Sequence, residues 1–295
     1  MLKNDYNIIF VCLEIPKNIL NEIDQNGFQF LKIDNESSFL NALLGNEIVI
    51  IDHYQLDTNY QKNIKEKGCK LVCIDDLYDK EFYADLIINH APGVKPTFYK
   101  AQDYTKYALG LEYALLRPLF LENAKVNHKQ KEALAVMVCF GGSDPKNLTS
   151  NTVDKLLKIN SLQKINMVIG GANQHFTQLI EKYSSSNKIV IHHDLTEREI
   201  VTIMNTSAIA IVPASGILFE ILTTDCEVIS GYYIDNQKSI YEGFKKIGAF
   251  HDAEDFTKID AVLQSVLSSK EDSKKSFIDG NSDERLLSLF KQLDT

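Results

Sequence analysis

Short apolar runs alternate with amphipathic stretches along the whole chain. In the first half these runs are nearly continuous in Ile, Val and Leu, which is typical of strands covered on both faces of a parallel sheet. Helical periodicity at residues 17–25 and 58–67 separates them, so the pattern predicts repeated βαβ units. The predicted strands of the first half are residues 6–13, 28–33, 47–51, 70–74 and 84–88.

The same rhythm restarts after a polar and basic stretch that has no strand or helix periodicity and is typical of a linker. A charged, serine-rich break at residues 268–276 precedes a final helix. We therefore predict two doubly wound, Rossmann-like α/β domains, at 1–120 and 133–280, with a linker at 121–132 and a terminal helix at 281–295. The predicted strands of the second domain are residues 133–140, 164–169, 188–191, 208–212 and 227–230.

Composition narrows the classes of function. At 295 residues the chain exceeds an average domain, and its net charge of -9 disfavours nucleic acid and anionic lipid as partners. No apolar run approaches the roughly 20 residues of a membrane span, and the start lacks a signal-peptide pattern. The five cysteines are odd in number and partly lie inside apolar runs, which favours reduced thiols and a cytoplasmic location. Because no ligand spacing typical of zinc occurs, we predict no metal and no cofactor, and the oligomeric state stays open.

A glycine-rich turn, Phe-Gly-Gly-Ser-Asp-Pro at residues 140–145, is the most specific local signal and directly follows an apolar strand. Gly141 and Gly142 allow close backbone approach, Asp144 is a natural helix N-cap, and Pro145 suits the first helical position. Backbone amides at such a turn and helix start bind anions of phosphate size. A turn with a purely structural role is the alternative.

A second turn of this kind follows another predicted strand, where Ser215 and Gly216 begin a helix. Glu220, about one turn into that helix, can accept hydrogen bonds from the vicinal hydroxyls of a ribose. The alternative for Glu220 is a favourable interaction with the helix dipole. Asn236 and Gln237 open a further helix and offer neutral donors to a diphosphate or a sugar.

Polar residues also follow the predicted strands of the first domain. Asp52, His53 and Tyr54 follow one strand, and Asp75 and Asp76 follow the next. Because ligands bind outside the carboxyl ends of parallel strands, these groups are candidates for acid–base chemistry in a cleft that two such domains would face. The alternatives are helix capping for Asp52 and Asp76, and a partly buried, hydrogen-bonded side chain for His53.

Two further positions extend the set of candidate ligands. Asn89 follows a third strand of the first domain. Arg117 is held extended by the proline that follows it, so it is a candidate phosphate ligand, with a surface ion pair as the alternative.

Several of these motifs together resemble one family. They are Asp52-His53-Tyr54, Ile74-Asp75-Asp76, Ile87-Ile88-Asn89, the run Tyr-Ala-Leu-Leu-Arg-Pro-Leu-Phe at 113–120, the turn at 140–144, and Asn236-Gln237. The family is that of the UDP-2,4-diacetamido-2,4,6-trideoxy-β-L-altropyranose hydrolases of pseudaminic acid biosynthesis, which also resembles spore-coat polysaccharide proteins. The resemblance runs from about residue 6 to the tail.

The resemblance implies a glycosyltransferase-B fold, with UDP held mainly by the second domain and the sugar presented to the first. It implies that Tyr54 and Asn236 lie near the sugar, and that Asp52, Asn89, Arg117 and Gln237 contribute to substrate binding. The residues that it assigns to the UDP moiety are Gly141, Gly142, Ser143, Ser215, Gly216 and Glu220.

The implied reaction replaces UDP on the anomeric carbon by water, so it needs a stabilised diphosphate and a general base. Relatives of this kind begin with a strand, a glycine-rich loop that carries a catalytic histidine, and a helix. No Gly-x-Gly-His run occurs here, and the first glycine is Gly27. Because that first strand is central in the usual order, its omission is expected to weaken the first domain.

Three explanations for the missing histidine stay open. They are a shortened start, a chain that binds UDP-sugars without hydrolysing them, and replacement of the base by His53, Asp52 or Tyr54. A transferase of the same fold, acting on a lipid-linked acceptor, is a further alternative function.

Overall fold

The computed structural model describes residues 2–126, 134–268 and 277–294, which fall into two compact units. Unit 1 comprises Met1–His90, Val94–Leu109 and Asp283–Thr295, and unit 2 comprises Ala91–Gly93 and Gly110–Ser282. The chain thus passes into the second unit at residue 110 and not in the predicted linker at 121–132. The physical reason is packing, because the side chains of residues 111 and 116 already lie against the core of unit 2.

Unit 1 alternates strands and helices as the apolar pattern predicts, and α1 and β4 have the predicted bounds. The helices that begin at Glu36 and Thr58 have side-chain N-caps, with Asn35 accepting a hydrogen bond from the Ser38 amide and Asp57 accepting one from the Tyr60 amide. The elements are β1 (Ile9–Cys12), α1 (Lys17–Gln25), β2 (Gln29–Lys32), α2 (Glu36–Ala42), β3 (Ile48–Ile51), α3 (Thr58–Glu66), β4 (Lys70–Ile74), β5 (Glu81–Phe82), β6 (Leu86–Asn89), β7 (Lys100–Ala101) and β8 (Lys106–Leu109), with 3-10 turns at Leu2–Asn4 and Pro96–Phe98.

The strands of unit 1 form three separate parallel sheets, with the orders β3-β4-β6-β8, β1-β2 and β5-β7. The core lies on the central strands, where Leu71 and Ile87 are fully buried. The prediction that every apolar run is covered on both faces is wrong for β1, because Ile9 and Phe10 are 49% and 41% exposed. The reason is that β1 pairs with β2 alone among the described strands.

Unit 2 contains one six-stranded parallel sheet. The elements are α4 (Pro118–Ala124), β9 (Ala135–Cys139), α5 (Leu148–Leu156), β10 (Lys164–Ile169), α6 (Phe176–Tyr183), β11 (Ile189–His193), α7 (Glu197–Thr206), β12 (Ile209–Pro213), α8 (Gly216–Ile221), β13 (Glu227–Gly231), α9 (Lys238–Lys246), β14 (His251–Asp252) and α10 (Ile259–Ser268), with 3-10 turns at Leu111–Tyr113 and Asp235–Gln237. The strand order is β11-β10-β9-β12-β13-β14, which is the doubly wound order 3-2-1-4-5-6.

Both faces of this sheet are covered. Met137 on β9 packs into one apolar cluster, and its neighbours Val136 and Val138 pack into another. Because successive side chains of a strand point to opposite faces, the two clusters are the two sides of the sheet. Strands β9 and β12 are therefore buried throughout, whereas Val190 on the edge strand β11 is 38% exposed.

Helix α4 occupies part of the predicted linker, which corrects that prediction for residues 121–124. Arg117 is extended, with φ -60° and ψ 146°, and the proline after it begins the helix while Phe120 is fully buried. Seven residues are too few to show helical periodicity in the sequence. The rest of the predicted linker from residue 127, and residues 269–276 of the predicted break, lie outside the described residues.

The last helix, α11 (Ser282–Lys291), starts one residue after the predicted position and lies largely in unit 1. The Tyr6 hydroxyl donates to Asp294 Oδ2 at 2.6 Å, and Lys291 Nζ lies 3.1 Å from Asp5 Oδ1. Burial and the Asp294 carboxylate raise the pKa of Tyr6 to about 12. Across the described ranges, no helix combines the length and apolar character that crossing a membrane requires.

Candidate functional site

Most of the predicted UDP-side residues lie at one edge of the unit 2 sheet. The glycine turn at 140–144 follows β9, Ser215 and Gly216 follow β12, and the 3-10 turn Asp235–Gln237 comes after β13. Because all the strands are parallel, these segments share the carboxyl edge, and β9 and β12 flank the point where the strand order reverses. That point is where open α/β sheets bind ligands.

The glycine turn differs in one respect from its prediction, because helix α5 begins at Leu148 and not directly after the turn. Asp144 is 99% buried, and its carboxylate accepts hydrogen bonds from the Leu148 and Thr149 amides at 2.8 and 2.9 Å. The first amides of the helix are therefore already used. Within the described part of the chain, the Gly142 and Ser143 amides have no hydrogen-bond partner, so they are the donors left for an anion.

One side of this turn is tightly packed and the other is open. A Cβ at Gly170, which follows β10, would lie 2.5 Å from Gly142 Cα and 2.6 Å from the Gly141 carbonyl oxygen. A Cβ at Gly142 or Gly216 would meet nothing within 4 Å. Gly141 has φ +80°, which an L side chain rarely adopts. The glycines thus serve both the packing against β10 and an open approach from the other side.

Arg117 and Glu220, which the sequence treats as independent ligands, are paired in the structure. Arg117 Nη2 donates to Glu220 Oε1 at 2.8 Å, and the guanidinium lies over the Phe120 ring at 4.8 Å. Burial raises the pKa of the Glu220 carboxyl, and the hydrogen bond and charge of Arg117 oppose that rise. The ion-pair alternative for Arg117 therefore holds, and its phosphate-binding role stays a prediction.

Asn236 and Gln237 have different surroundings. Asn236 is exposed, whereas Gln237 is 5% exposed and its Oε1 accepts a hydrogen bond from the Tyr233 amide at 3.0 Å. The Tyr233 hydroxyl in turn donates to the Phe140 carbonyl at 3.1 Å. Sequence reasoning missed Tyr233, and its only signal was a tyrosine between a predicted strand end and Asn236.

In unit 1, the structure brings together polar residues that follow β3 and β4. The Tyr54 hydroxyl donates to Asp76 Oδ2 at 3.2 Å, and Asp76 Oδ1 is buried with no partner among the described residues. Burial and the charge of Asp76 raise the pKa of Tyr54. Asp75 accepts hydrogen bonds from the Tyr78 and Leu77 amides at 2.8 and 3.2 Å, so it stabilises the local turn.

The remaining predicted residues of unit 1 are less closely grouped. Asp52 and His53 are exposed, and His53 Nδ1 accepts a hydrogen bond from the Gln55 amide at 3.2 Å. Helix α3 is capped by Asp57, so the capping alternative for Asp52 is wrong. Asn89 is 3% exposed and donates to the Tyr99 hydroxyl at 2.9 Å, which places its side chain in the interior of the unit.

No cluster of three or more His, Cys, Asp or Glu side chains suited to a metal ion occurs among the described residues. The candidate ligand groups at the carboxyl edge of unit 2 are two kinds of donor, the backbone amides and the Arg117 guanidinium, and one acceptor, the Glu220 carboxylate. Such a set can bind an anion and a diol without a metal.

No family model matches the chain. A protein of Methanocaldococcus jannaschii described as uncharacterized is 28% identical over 262 residues, which cover 84% of this chain and 54% of that protein, so the chain spans about half of that relative. The UDP-2,4-diacetamido-2,4,6-trideoxy-beta-L-altropyranose hydrolase of Campylobacter jejuni is 26% identical over 266 residues, covering 84% of this chain and 89% of the relative. The resemblance to this hydrolase family is confirmed.

Solved structures agree with the fold of this hydrolase-like chain. MurG of Acinetobacter baumannii superposes with a TM-score of 0.69 at 11% identity, covering 98% of this chain and 92% of MurG. At that identity the likeness concerns the fold alone. The chain has a glycosyltransferase-B-like α/β fold with Rossmann-like parallel sheets, as predicted.

Proposed function

We propose that this chain is a nucleotide-sugar hydrolase that releases UDP from a UDP-diacetamido-trideoxy-altrose type sugar in pseudaminic acid biosynthesis. The observation that carries the proposal is the alignment with the Campylobacter hydrolase over 84% of this chain and 89% of that enzyme. The open glycine turn at the switch point of unit 2 supports it, because its free amides suit a diphosphate.

The UDP moiety is assigned to unit 2. The Gly142 and Ser143 amides donate to the diphosphate, with Ser215 and Gly216 on the neighbouring turn contributing further donors. Glu220 accepts hydrogen bonds from the ribose hydroxyls, and its pairing with Arg117 opposes the rise that burial causes in the pKa of its carboxyl. Tyr54 and Asn236 are assigned to the sugar. His53, Asp52, Asn89 and Gln237 are proposed as further contributors to substrate binding or catalysis.

In the reaction, a water oxygen attacks the anomeric carbon while the bond from that carbon to the UDP oxygen breaks. The electron pair of that bond goes to the diphosphate, whose developing charge the turn amides stabilise, and the proton of the water goes to a general base. Preorganised donors of this kind each contribute on the order of 3 kcal/mol to lowering such a barrier. All five cysteines are free thiols, which fits the cytoplasm as the place of reaction.

Titration calorimetry with UDP, and UDP release from the altrose-type UDP-sugar, test the proposal. The informative variant is Gly142→Ala, because its added methyl group meets no protein atom within 4 Å and its φ is not positive. We expect a normally folded variant that binds UDP at least about tenfold more weakly, because the methyl group occupies the approach of the diphosphate.

Circular dichroism and thermal melting are the folding controls for Gly142→Ala. A wild-type chain that gave no heat with millimolar UDP would contradict the nucleotide assignment. Tight UDP binding without UDP release from the sugar substrate would instead contradict hydrolysis and favour a binding protein. Unchanged UDP affinity in Gly142→Ala would show that the glycine turn does not bind UDP.

A further inference from the structure

Tyr233 in unit 2 contacts the glycine turn from the side of β13. Its hydroxyl donates to the carbonyl of Phe140 at 3.1 Å, and the two rings meet edge to face at a centroid distance of 6.5 Å. Burial raises the pKa of the Tyr233 phenol, so the hydroxyl keeps its proton and stays a donor at neutral pH. Phe140, the first residue of the turn, is therefore held by a side chain 93 positions away along the chain.

Tyr233 is itself held at its backbone. Its amide donates to Gln237 Oε1 at 3.0 Å, and Gln237 is 95% buried. Phe140 packs on its other side against the Phe256 ring, at a centroid distance of 4.8 Å. The tyrosine hydroxyl thus reaches the turn from a fixed position.

The turn needs such external support. Gly141 has φ +80° and no Cβ, so steric exclusion does little to hold this segment in one conformation. The Phe140 carbonyl and the Gly141 amide belong to one planar peptide group, so a hydrogen bond to the oxygen sets the orientation of the whole plane. The orientation of that plane sets φ of Gly141, one of the two dihedral angles that connect it to the Gly142 amide.

A second contact fixes the turn from the β10 side. Gly170 lies so close that a Cβ there would be 2.5 Å from Gly142 Cα. Any larger residue at position 170 would displace the turn. Gly171 has no such restriction, because a Cβ added there would have Asp194 Oδ1 as its nearest contact, at 3.7 Å.

We propose that Tyr233 is a positioning residue for diphosphate binding, which orients the free amides of the Gly141-Gly142-Ser143 turn through its hydrogen bond to the Phe140 carbonyl. This inference rests on the proposed UDP site of unit 2. Preorganised donors bind an anion better than donors that must be ordered on binding, because the ordering lowers the net affinity. Tyr233 touches no ligand itself and acts through the turn.

The chain offers a matched control for removal of the hydroxyl. Tyr232 is adjacent, and within the described residues its hydroxyl makes no hydrogen bond, while its ring packs against Tyr241 at 4.9 Å. Titration calorimetry of wild type, Tyr233→Phe and Tyr232→Phe with UDP and with uridine separates the diphosphate contribution from that of the nucleoside. Thermal melting reports whether each variant is folded.

We expect Tyr233→Phe to bind UDP about three- to tenfold more weakly, with uridine affinity unchanged, because one hydrogen bond is lost and only the turn loosens. Tyr232→Phe should bind both ligands as wild type does. Unchanged UDP affinity in Tyr233→Phe, or an equal loss for UDP and uridine, would overturn the inference. A wild type that bound no UDP would instead show that the underlying function is wrong.

A second pair of variants keeps the inference testable if Tyr233→Phe does not fold. Gly170→Ala displaces the same turn from the other side, and Gly171→Ala adds a methyl group where there is room. We expect Gly170→Ala to weaken UDP binding at least about threefold more than Gly171→Ala, again without a change for uridine. Equal UDP affinities in the two alanine variants would show that turn position does not control diphosphate binding.

Discussion

At the scale of single residues, neighbours decide what a carboxylate at a strand end can do. Asp75 and Asp144 both follow strands, and both accept two backbone amide hydrogen bonds, so they stabilise turns. Asp76 and Glu220 retain side-chain partners, the Tyr54 hydroxyl and the Arg117 guanidinium. The carboxylates of Asp75 and Asp144 therefore have a structural role, whereas those of Asp76 and Glu220 interact with side chains.

His90 gives unit 1 a pH-dependent stability. Burial lowers the pKa of His90 from 6.5 to about 4, with the charge of Asp76 opposing the shift. Between these two values the unfolded chain binds a proton that the folded chain does not, so the free energy of unfolding falls as the pH drops from about 6.5 towards about 4. Above the unfolded pKa the effect vanishes.

We expect the wild type to lose about 2 kcal/mol more than His90→Gln between pH 7.5 and pH 5, because 1.5 units at about 1.4 kcal/mol each are involved. Urea unfolding of both proteins at the two pH values measures this difference. The carboxylates of unit 1 titrate in both proteins, so the comparison isolates His90. Identical pH dependence in wild type and variant would show that His90 is protonated in the folded state.

At the scale of elements, similar apolar runs have different surroundings. Strand β4 pairs with β3 and β6, and its Leu71 and Val72 are fully buried. Strand β1 has a comparable apolar sequence, yet among the strands that the structure describes it pairs with β2 alone, and Ile9 and Phe10 are nearly half exposed. A strand pattern indicates that a segment can be buried, and the sheet order determines whether it is.

The rates of amide hydrogen exchange should differ between strands β1 and β4. We expect the β1 amides to exchange at least about a hundredfold faster than those of β4, because one-sided pairing and poor burial allow local opening at low free energy. Exchange followed by mass spectrometry, on peptides that cover residues 7–13 and 70–75, makes the comparison within one unit. Equal protection of the two strands would contradict the weak attachment of the β1-β2 sheet.

The boundaries of elements are also only partly predictable from local sequence patterns. Strands β4 and β10 and helix α1 have the predicted bounds, since a polar residue or a glycine follows each apolar pattern. The start of α5 does not, because Asp144 reaches past the next residues to the Leu148 and Thr149 amides. The sequence predicts a linker over most of helix α4, because seven residues contain too few turns for a periodic pattern.

At the scale of the whole molecule, the chain consists of two units whose strands are organised differently. Unit 2 has the full doubly wound order of six parallel strands, whereas unit 1 divides its strands among three sheets. The segment from residue 110 to residue 120 belongs to unit 2 and not to the predicted first domain, and most of helix α11 belongs to unit 1, because packing and not chain order defines a unit. Unit 2 therefore presents its candidate ligand groups on one continuous sheet.

A ligand that binds only the folded state raises the free energy of unfolding by RT ln(1 + [L]/Kd), where [L] is its free concentration. We expect UDP at about a hundredfold over Kd to stabilise unit 2 by about 2.7 kcal/mol and to slow hydrogen exchange in the turn at residues 140–144. Differential scanning calorimetry and exchange in the presence of UDP measure the two effects. In Gly142→Ala, the same UDP concentration should give a smaller shift, and a full shift there would contradict the assigned site.

The sequence by itself determined the alternation of strands and helices, the parallel sheets, the glycine turn and the set of polar residues at strand ends. These features depend on residue spacing within single elements, and short-range sterics and hydrogen bonding set them. Only the tertiary structure decided which of those residues already have partners within the protein. Arg117 pairs with Glu220 over 103 positions, and Tyr233 holds Phe140 over 93 positions, so their roles depend on contacts that no local pattern contains.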